Sequence, residues 1–143
     1  MNPVRQFVTI LALLLVTSCA SQTQPKDLAV QVFERRGRVH PTSVNGQHLF
    51  LVRVTNQSGE SVNIDSIEID PQTTSLQFYE NQAAVDDILE PGQTRDITMW
   101  INVNAVAMSY IYTIDSVDVV ISGRTSTRGN FTERQGCIVS ASQ

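Results

Sequence analysis

Two histidines, two cysteines and fourteen acidic residues are the groups in this 143-residue chain whose chemistry could do work, and their spacing decides what kind. Nucleophilic hydrolysis needs a Ser or Cys beside a base that can take its proton, with an acid to orient that base. His40 and His48 are the only imidazoles, and no Gly-x-Ser-x-Gly elbow accompanies them. Each histidine falls at a loop or strand edge, where a solvated ring is the expectation. Calcium would need clustered oxygens. Asp65, Asp70, Asp86, Asp87, Asp115 and Asp118 supply them, but no Asp-x-Asp-x-Asp-Gly loop gathers them, so they read as scattered surface acids.

A blue-copper site would use two His, one Cys and often a Met. After Cys137 the chain runs "IVSASQ" to its end and offers no further His or Met. No metal, no cofactor and no enzymatic activity are therefore expected. Cys137 itself is expected to be a buried, unreactive thiol in the last strand, since Ile138 and Val139 follow it and free cysteine packs like a small hydrophobe. An intermolecular disulfide is the competing reading for a leftover cysteine in an oxidising compartment.

Candidates for partner binding come from two other places. Trp100 is the only tryptophan, and in "RDITMWINV" it alternates with the apolar row Ile97, Met99, Ile101 and Val103, on the side of Asp96, Thr98 and Asn102. An exposed aromatic among polar groups is the composition of an interface hot spot. Cover from Tyr110, Tyr112 or arginine stems, or a bulge that turns the ring inward, would instead make it structural. "ERRGR" sets Arg35, Arg36 and Arg38 around Gly37. It reads either as a solvated turn or as a contact for phosphates of lipid A or lipid headgroups near an anchor.

The anchor is the other cysteine. Phe7 to Val16 is a run of ten residues in which only Thr9 is not apolar, and Arg5 is the one charge before Ser18. That is a secretory leader, too short for the roughly 20 apolar residues of a membrane-spanning helix. Val16, Thr17, Ser18 and Cys19 resemble a bacterial lipobox, which implies a signal peptide over 1–18 and acylation of Cys19 on sulfur and on its new amino terminus. Two or three chains, at about 0.8 kcal/mol per buried methylene, hold a protein firmly on a bilayer. Ala20 after the cysteine, by resemblance to enterobacterial sorting, implies the outer membrane, facing the periplasm. The alternative is an ordinary signal peptide cut near Ala20.

Losing the leader removes Arg5 and no acid, so the net charge moves from -4 to -5, and no basic face for nucleic acid is expected. "ASQTQPKD" has no large hydrophobe and reads as a tether, giving a lipidated tether over 19–27 and one domain over 28–143. Strand-like runs are expected at Leu28 to Arg35, Leu49 to Thr55, Val62 to Ile69, Ser75 to Tyr79, around Ile97 to Val103, Tyr110 to Ser122 with a division near Asp115, and Phe131 to Val139. "NQSGES", "EPGQT" and "STRGN" are turn signals. "QAAVDDIL" fits either one helical turn or a wide loop. The pattern predicts an all-β fold, an antiparallel sandwich of about seven strands.

"LFLVRVTNQSGESVNIDSIEI" followed by "ILEPGQTRDITMWINV" resembles the immunoglobulin-like and fibronectin-like modules of bacterial envelope proteins. The likeness concerns strands and turns and carries over no catalytic residue. The expectation is a membrane-anchored, non-enzymatic binding or assembly module whose partner is an envelope protein or a cell-wall component. A small extracytoplasmic ligand carrier or enzyme accessory subunit is the alternative, and it requires a deep pocket with convergent polar groups.

Overall fold

The computed structural model describes residues 27–39, 43–106, 111 and 113–141. The leader, Cys19, most of the tether, His40, Tyr110 and Tyr112 lie outside the described residues. Among those described, no helix is long and apolar enough to cross a membrane.

The fold is all-β. Eight strands follow one another: β1 (Leu28–Val39), β2 (Gly46–Asn56), β3 (Val62–Pro71), β4 (Leu76–Tyr79), β5 (Gln82–Leu89), β6 (Thr94–Ala105), β7 (Ser116–Thr125) and β8 (Gly129–Ala141). They form one mixed sheet in the order β4-β6-β2-β1-β8-β7-β3-β5. Every pairing is antiparallel except β1 with β8, which run parallel over three pairs from Val32–Val139 to Glu34–Ala141. This differs from the expected antiparallel sandwich of about seven strands in three respects: the strands form one continuous sheet, it contains a parallel seam, and there is an extra strand. The extra strand is "QAAVDDIL", which is β5 and neither a helical turn nor a loop. It lies at the sheet's margin and pairs only with β3, so its apolar residues lack the contrast of a half-buried strand.

The sheet curls until its two ends approach. Arg95 of β6 places Nε 2.6 Å from Asp87 Oδ2 of β5, an ion pair too bent to count as a hydrogen bond. The concave side holds one core to which both halves contribute, with Phe50, Val52, Ile101 and Val103 from one half and Ile64, Ile67, Val119 and Ile121 from the other. Each such side chain contributes about 1.5–3 kcal/mol by leaving water.

The pleat explains which residues point inward. In β3 the apolar spacing Val62, Ile64, Ile67, Ile69 slips phase once, and the register shifts between Ile64 and Ser66, so that the second pair still faces the core. At this bulge the backbones crowd, and a Cβ on Gly123 would stand 2.3 Å from the Asn63 carbonyl oxygen. Glycine there is a packing requirement.

Candidate functional site

Strict alternation sends Asp96, Thr98, Trp100 and Asn102 of β6 to the convex face of the half formed by β4, β6, β2 and β1, as the sequence indicates. Register then fixes their neighbours. Trp100 lies opposite Leu49 and Asn102 opposite Gln47, while Leu49 lies opposite Arg35 on β1. On the other side Tyr79 of β4 faces Asn102, which makes it a diagonal neighbour of Trp100. Trp100 is 51% exposed and Tyr79 47%.

The tryptophan side chain leans across the sheet. A side chain standing perpendicular to the sheet stays over its own strand. β6 and β1 are two strand spacings apart, about 9.6 Å. Even so, a Cβ on Gly37 of β1 would come within 2.9 Å of Trp100 Cζ3 and 2.8 Å of the Gln47 carbonyl oxygen. The ring therefore reaches across β2 to β1, and glycine leaves room for its far edge. The register of β1 shifts at the same point, where Gly37 and Arg38 together face Gln47.

Polar groups border the two aromatics. Tyr79 donates its hydroxyl to Gln77 Oε1 at 2.7 Å, and Asn102 Nδ2 donates to Glu80 Oε2 at 3.2 Å. Further along, Arg53 grips Asp96 with two bonds of 2.8 Å and lies over the Phe33 ring, 5.5 Å from its centroid. The hydrogen bond from Arg53 holds the Asp96 carboxyl below the usual carboxylate range. A surface hollow of about 570 Å³ touches Arg53, Thr94, Arg95 and Asp96, but its cations are already paired with acids.

Arg35, Arg36 and Arg38 lie in strand β1, not in a turn. The pleat puts Arg35 and Arg36 on opposite faces, and the register shift at Gly37 and Arg38 breaks the alternation beyond them, so the three do not act as one cluster. Arg35 is exposed on the convex face beside Leu49, and Arg36 reaches back to Glu34, Nε to Oε1 at 3.9 Å.

His48 corrects the expectation of a solvated ring. It is completely buried, with Nδ1 2.5 Å from Glu34 Oε1 and Nε2 donating to the Val44 carbonyl at 2.7 Å. The signal was parity, because His48, Phe50, Val52 and Val54 share one face of β2, and that face is the core. Both ring nitrogens are occupied, so the imidazole is a structural tie and no free base.

Among the described residues, no group of three or more His, Cys, Asp or Glu side chains is placed to hold a metal ion. Asp70 and Asp118 pair with Arg134, and Asp65 pairs with Arg124. Cys137 is buried, its thiol 4.0 Å from the Val30 carbonyl oxygen.

No protein-family model matches the chain, and no curated protein matches it. Solved structures do. The X-ray structure of the structural-genomics target SoR45 aligns at a TM-score of 0.50 and 10% identity, over 80% of this chain and 86% of that one. A Bordetella pertussis protein provisionally described as ApaA aligns at 0.48 and 17% identity, over 82% and 95%. A FixG-related protein from Vibrio parahaemolyticus aligns at 0.36 and 10% identity, over 82% and 98%. The first is a likeness of fold alone.

Proposed function

We propose that this chain is a lipid-anchored bacterial envelope protein whose β domain is a non-enzymatic binding module, with the convex face around Trp100 as its contact surface. The domain is read as an immunoglobulin-like sandwich, two antiparallel four-strand halves packed over one core and joined by the short β1–β8 seam. One observation carries the reading: a tryptophan laid across two neighbouring strands, with room made for it by Gly37 and half of its surface left in water. The exposed half contributes nothing to the isolated domain and becomes favourable only when a ligand or partner covers it.

The position of the tether supports this choice of face. Gln57 N–H donates to the Asp27 carbonyl at 2.8 Å, and Arg128 pairs with the Asp27 carboxylate at 2.8 Å. The chain thus enters the domain at the end that carries these turns. Arg35 lies seven residues further along β1, about 23 Å away. A tether of eight residues from Ala20 adds up to about 26 Å. An acylated Cys19 would then hold the Trp100 face clear of the headgroups, which favours a partner beyond the bilayer over lipid phosphates beside the anchor.

In cells, a photoreactive phenylalanine at Tyr79 should form an adduct that Trp100→Ala abolishes, and the same group at exposed Thr132 on β8 should form none. Cys19→Ala should release the protein from the membrane fraction or leave it unprocessed. Equal adducts at both positions, or none at Tyr79, would overturn the binding face. A Cys19→Ala protein that is processed and stays on the membrane would overturn the anchor.

A further inference from the structure

The geometry points to a glycan strand bearing carboxylates as the ligand of the Trp100 face, an inference that rests on the binding-module reading and names its ligand class. Three features select this chemistry. The first is the attitude of the ring. A tryptophan that anchors a protein interface projects into a pocket of the partner and is sealed by surrounding contacts. Trp100 instead leans across the sheet to reach Gly37 two strands away, so it does not project from the face, and a ligand laid on that face meets the half-exposed indole from above. The axial C–H bonds of a pyranose ring make a flat, weakly positive, apolar surface that matches the negative face of an indole.

The second feature is the border. Gln47, Gln77 and Asn102 are exposed around the two aromatics. A side-chain amide carries a donor and an acceptor side by side, and neighbouring equatorial hydroxyls of a sugar present the same pair at the edge of the stacked ring. Tyr79 continues the platform on β4, and from β4 to β1 the face spans three strand spacings, about 14 Å. That accommodates more than one sugar ring.

The third is charge. On this face Arg53 is committed to Asp96, whereas Arg35, in line with Trp100 through Leu49, is exposed and has no acidic partner among the described residues. A guanidinium beside a stacking platform matches a carboxylate on the stacked strand, which it can hold with two parallel hydrogen bonds. Nucleic acid would also stack, but its affinity comes from neutralising many phosphates, and this chain is net acidic. The edges of the sheet are poorer sites. β4 has four residues, and β5 carries Asp86 at φ 46° beside the register shift of β3, a distortion that discourages strand addition.

The test uses the purified full-length protein, whose single tryptophan is its own reporter. The probes are soluble peptidoglycan strands, which carry carboxylates on their stem peptides or, where the peptide has been removed, on the lactyl group, and chitohexaose as an uncharged counterpart. Both should change tryptophan emission saturably, the peptidoglycan strands at lower concentration. Trp100→Ala should weaken retention on insoluble sacculi about tenfold or more, and Trp100→Phe should keep part of it. Arg35→Gln should remove the preference for the charged strand and leave chitohexaose unchanged. Folding of each variant is checked by its melting transition. Unchanged emission with both probes and no retention on sacculi would overturn the inference. If Tyr79 nevertheless crosslinks to a protein, the glycan is wrong and the binding-module reading stands. A concentration-dependent dimer lost in Trp100→Ala would assign the face to a second copy of the chain and overturn the glycan. Arg35→Gln weakening both probes alike would overturn the role of the carboxylate.

Discussion

Glu34 and His48 join neighbouring strands inside the fold: the carboxylate, 11% exposed, lies 2.5 Å from the Nδ1 of a ring with no exposure at all. Because Nε2 is spent on the Val44 carbonyl, the pair also ties the segment before β2 to the sheet. Removing one partner of a buried pair leaves the other unsatisfied, which costs about 3–5 kcal/mol. Glu34→Ala should therefore lower unfolding stability by several kcal/mol in denaturant titrations. The double variant Glu34→Met, His48→Leu should recover much of the loss, since apolar replacement of such pairs is often neutral. Additive losses in that cycle would show that the two residues do not act together.

Gly37 is expected to tolerate no side chain. A Cβ there would stand under 3 Å from both the Gln47 carbonyl and the Trp100 ring, and the backbone atom cannot move aside without disturbing the β1–β2 ladder. Gly37→Val should cost about 1–3 kcal/mol by overpacking. It should also lift the indole off the sheet, read as a red shift in emission and faster acrylamide quenching. Stability lost with unchanged fluorescence would mean that the clash falls on the backbone alone.

Trp100→Ala should itself cost stability, because about half of the ring is covered. An aromatic residue buries about 150–250 Å² when fully enclosed. Half of that at about 25 cal/mol per Å² is roughly 2–3 kcal/mol. Thermal melts of the variant should show a loss in that range or below, with β-sheet circular dichroism retained.

Trp100 and His48 both obey the alternation of their strands, but only around Trp100 is that alternation plain in the sequence. In "RDITMWINV" four aliphatic residues mark the inner face, so the outer position of Trp100 follows. In "GQHLFLVRV" both faces carry hydrophobes: Phe50, Val52 and Val54 inward, Leu49 and Leu51 beneath the Trp100 row. There the period-2 contrast fades, and a polar His48 at the start of the run looks like its edge. The parallel seam had no local signal, because Val32 and Val139 are 107 residues apart and their pairing is a matter of register. Gly37 looked like a turn residue, since its reason lies on β6, over sixty residues away.

Cys137 is expected to label slowly. Its thiol lies in the core beside the seam, 3.7 Å from the Gln135 carbonyl oxygen. Reaction with a thiol reagent then requires β8 to open, and its rate should follow denaturant concentration as the global unfolding does. Fast labelling of the native protein, or a dimer seen only without reductant, would contradict this placement.

Acid should reveal the convex-face carboxylates. Asp118 is held below its ordinary value of 3.8 by hydrogen bonds from Gln72 and then Arg134, and Asp96 by Arg53. A carboxyl group whose folded pKa is depressed stabilises the fold above its unfolded pKa, and that contribution disappears as pH falls through the lower, folded value. Asp118→Asn should thus be less stable than the parent at pH 7 and at pH 5, with the gap closing below about pH 3.8 as the parent's own carboxylate is protonated. Both partners of the ion pair are partly exposed, so 1 M salt should narrow the gap at neutral pH through screening. Urea titrations of the two proteins between pH 2 and 7 measure this directly. A gap that widens with acid would require Asp118 to be stabilised in its protonated form, opposite to the contacts it makes with Gln72 and Arg134.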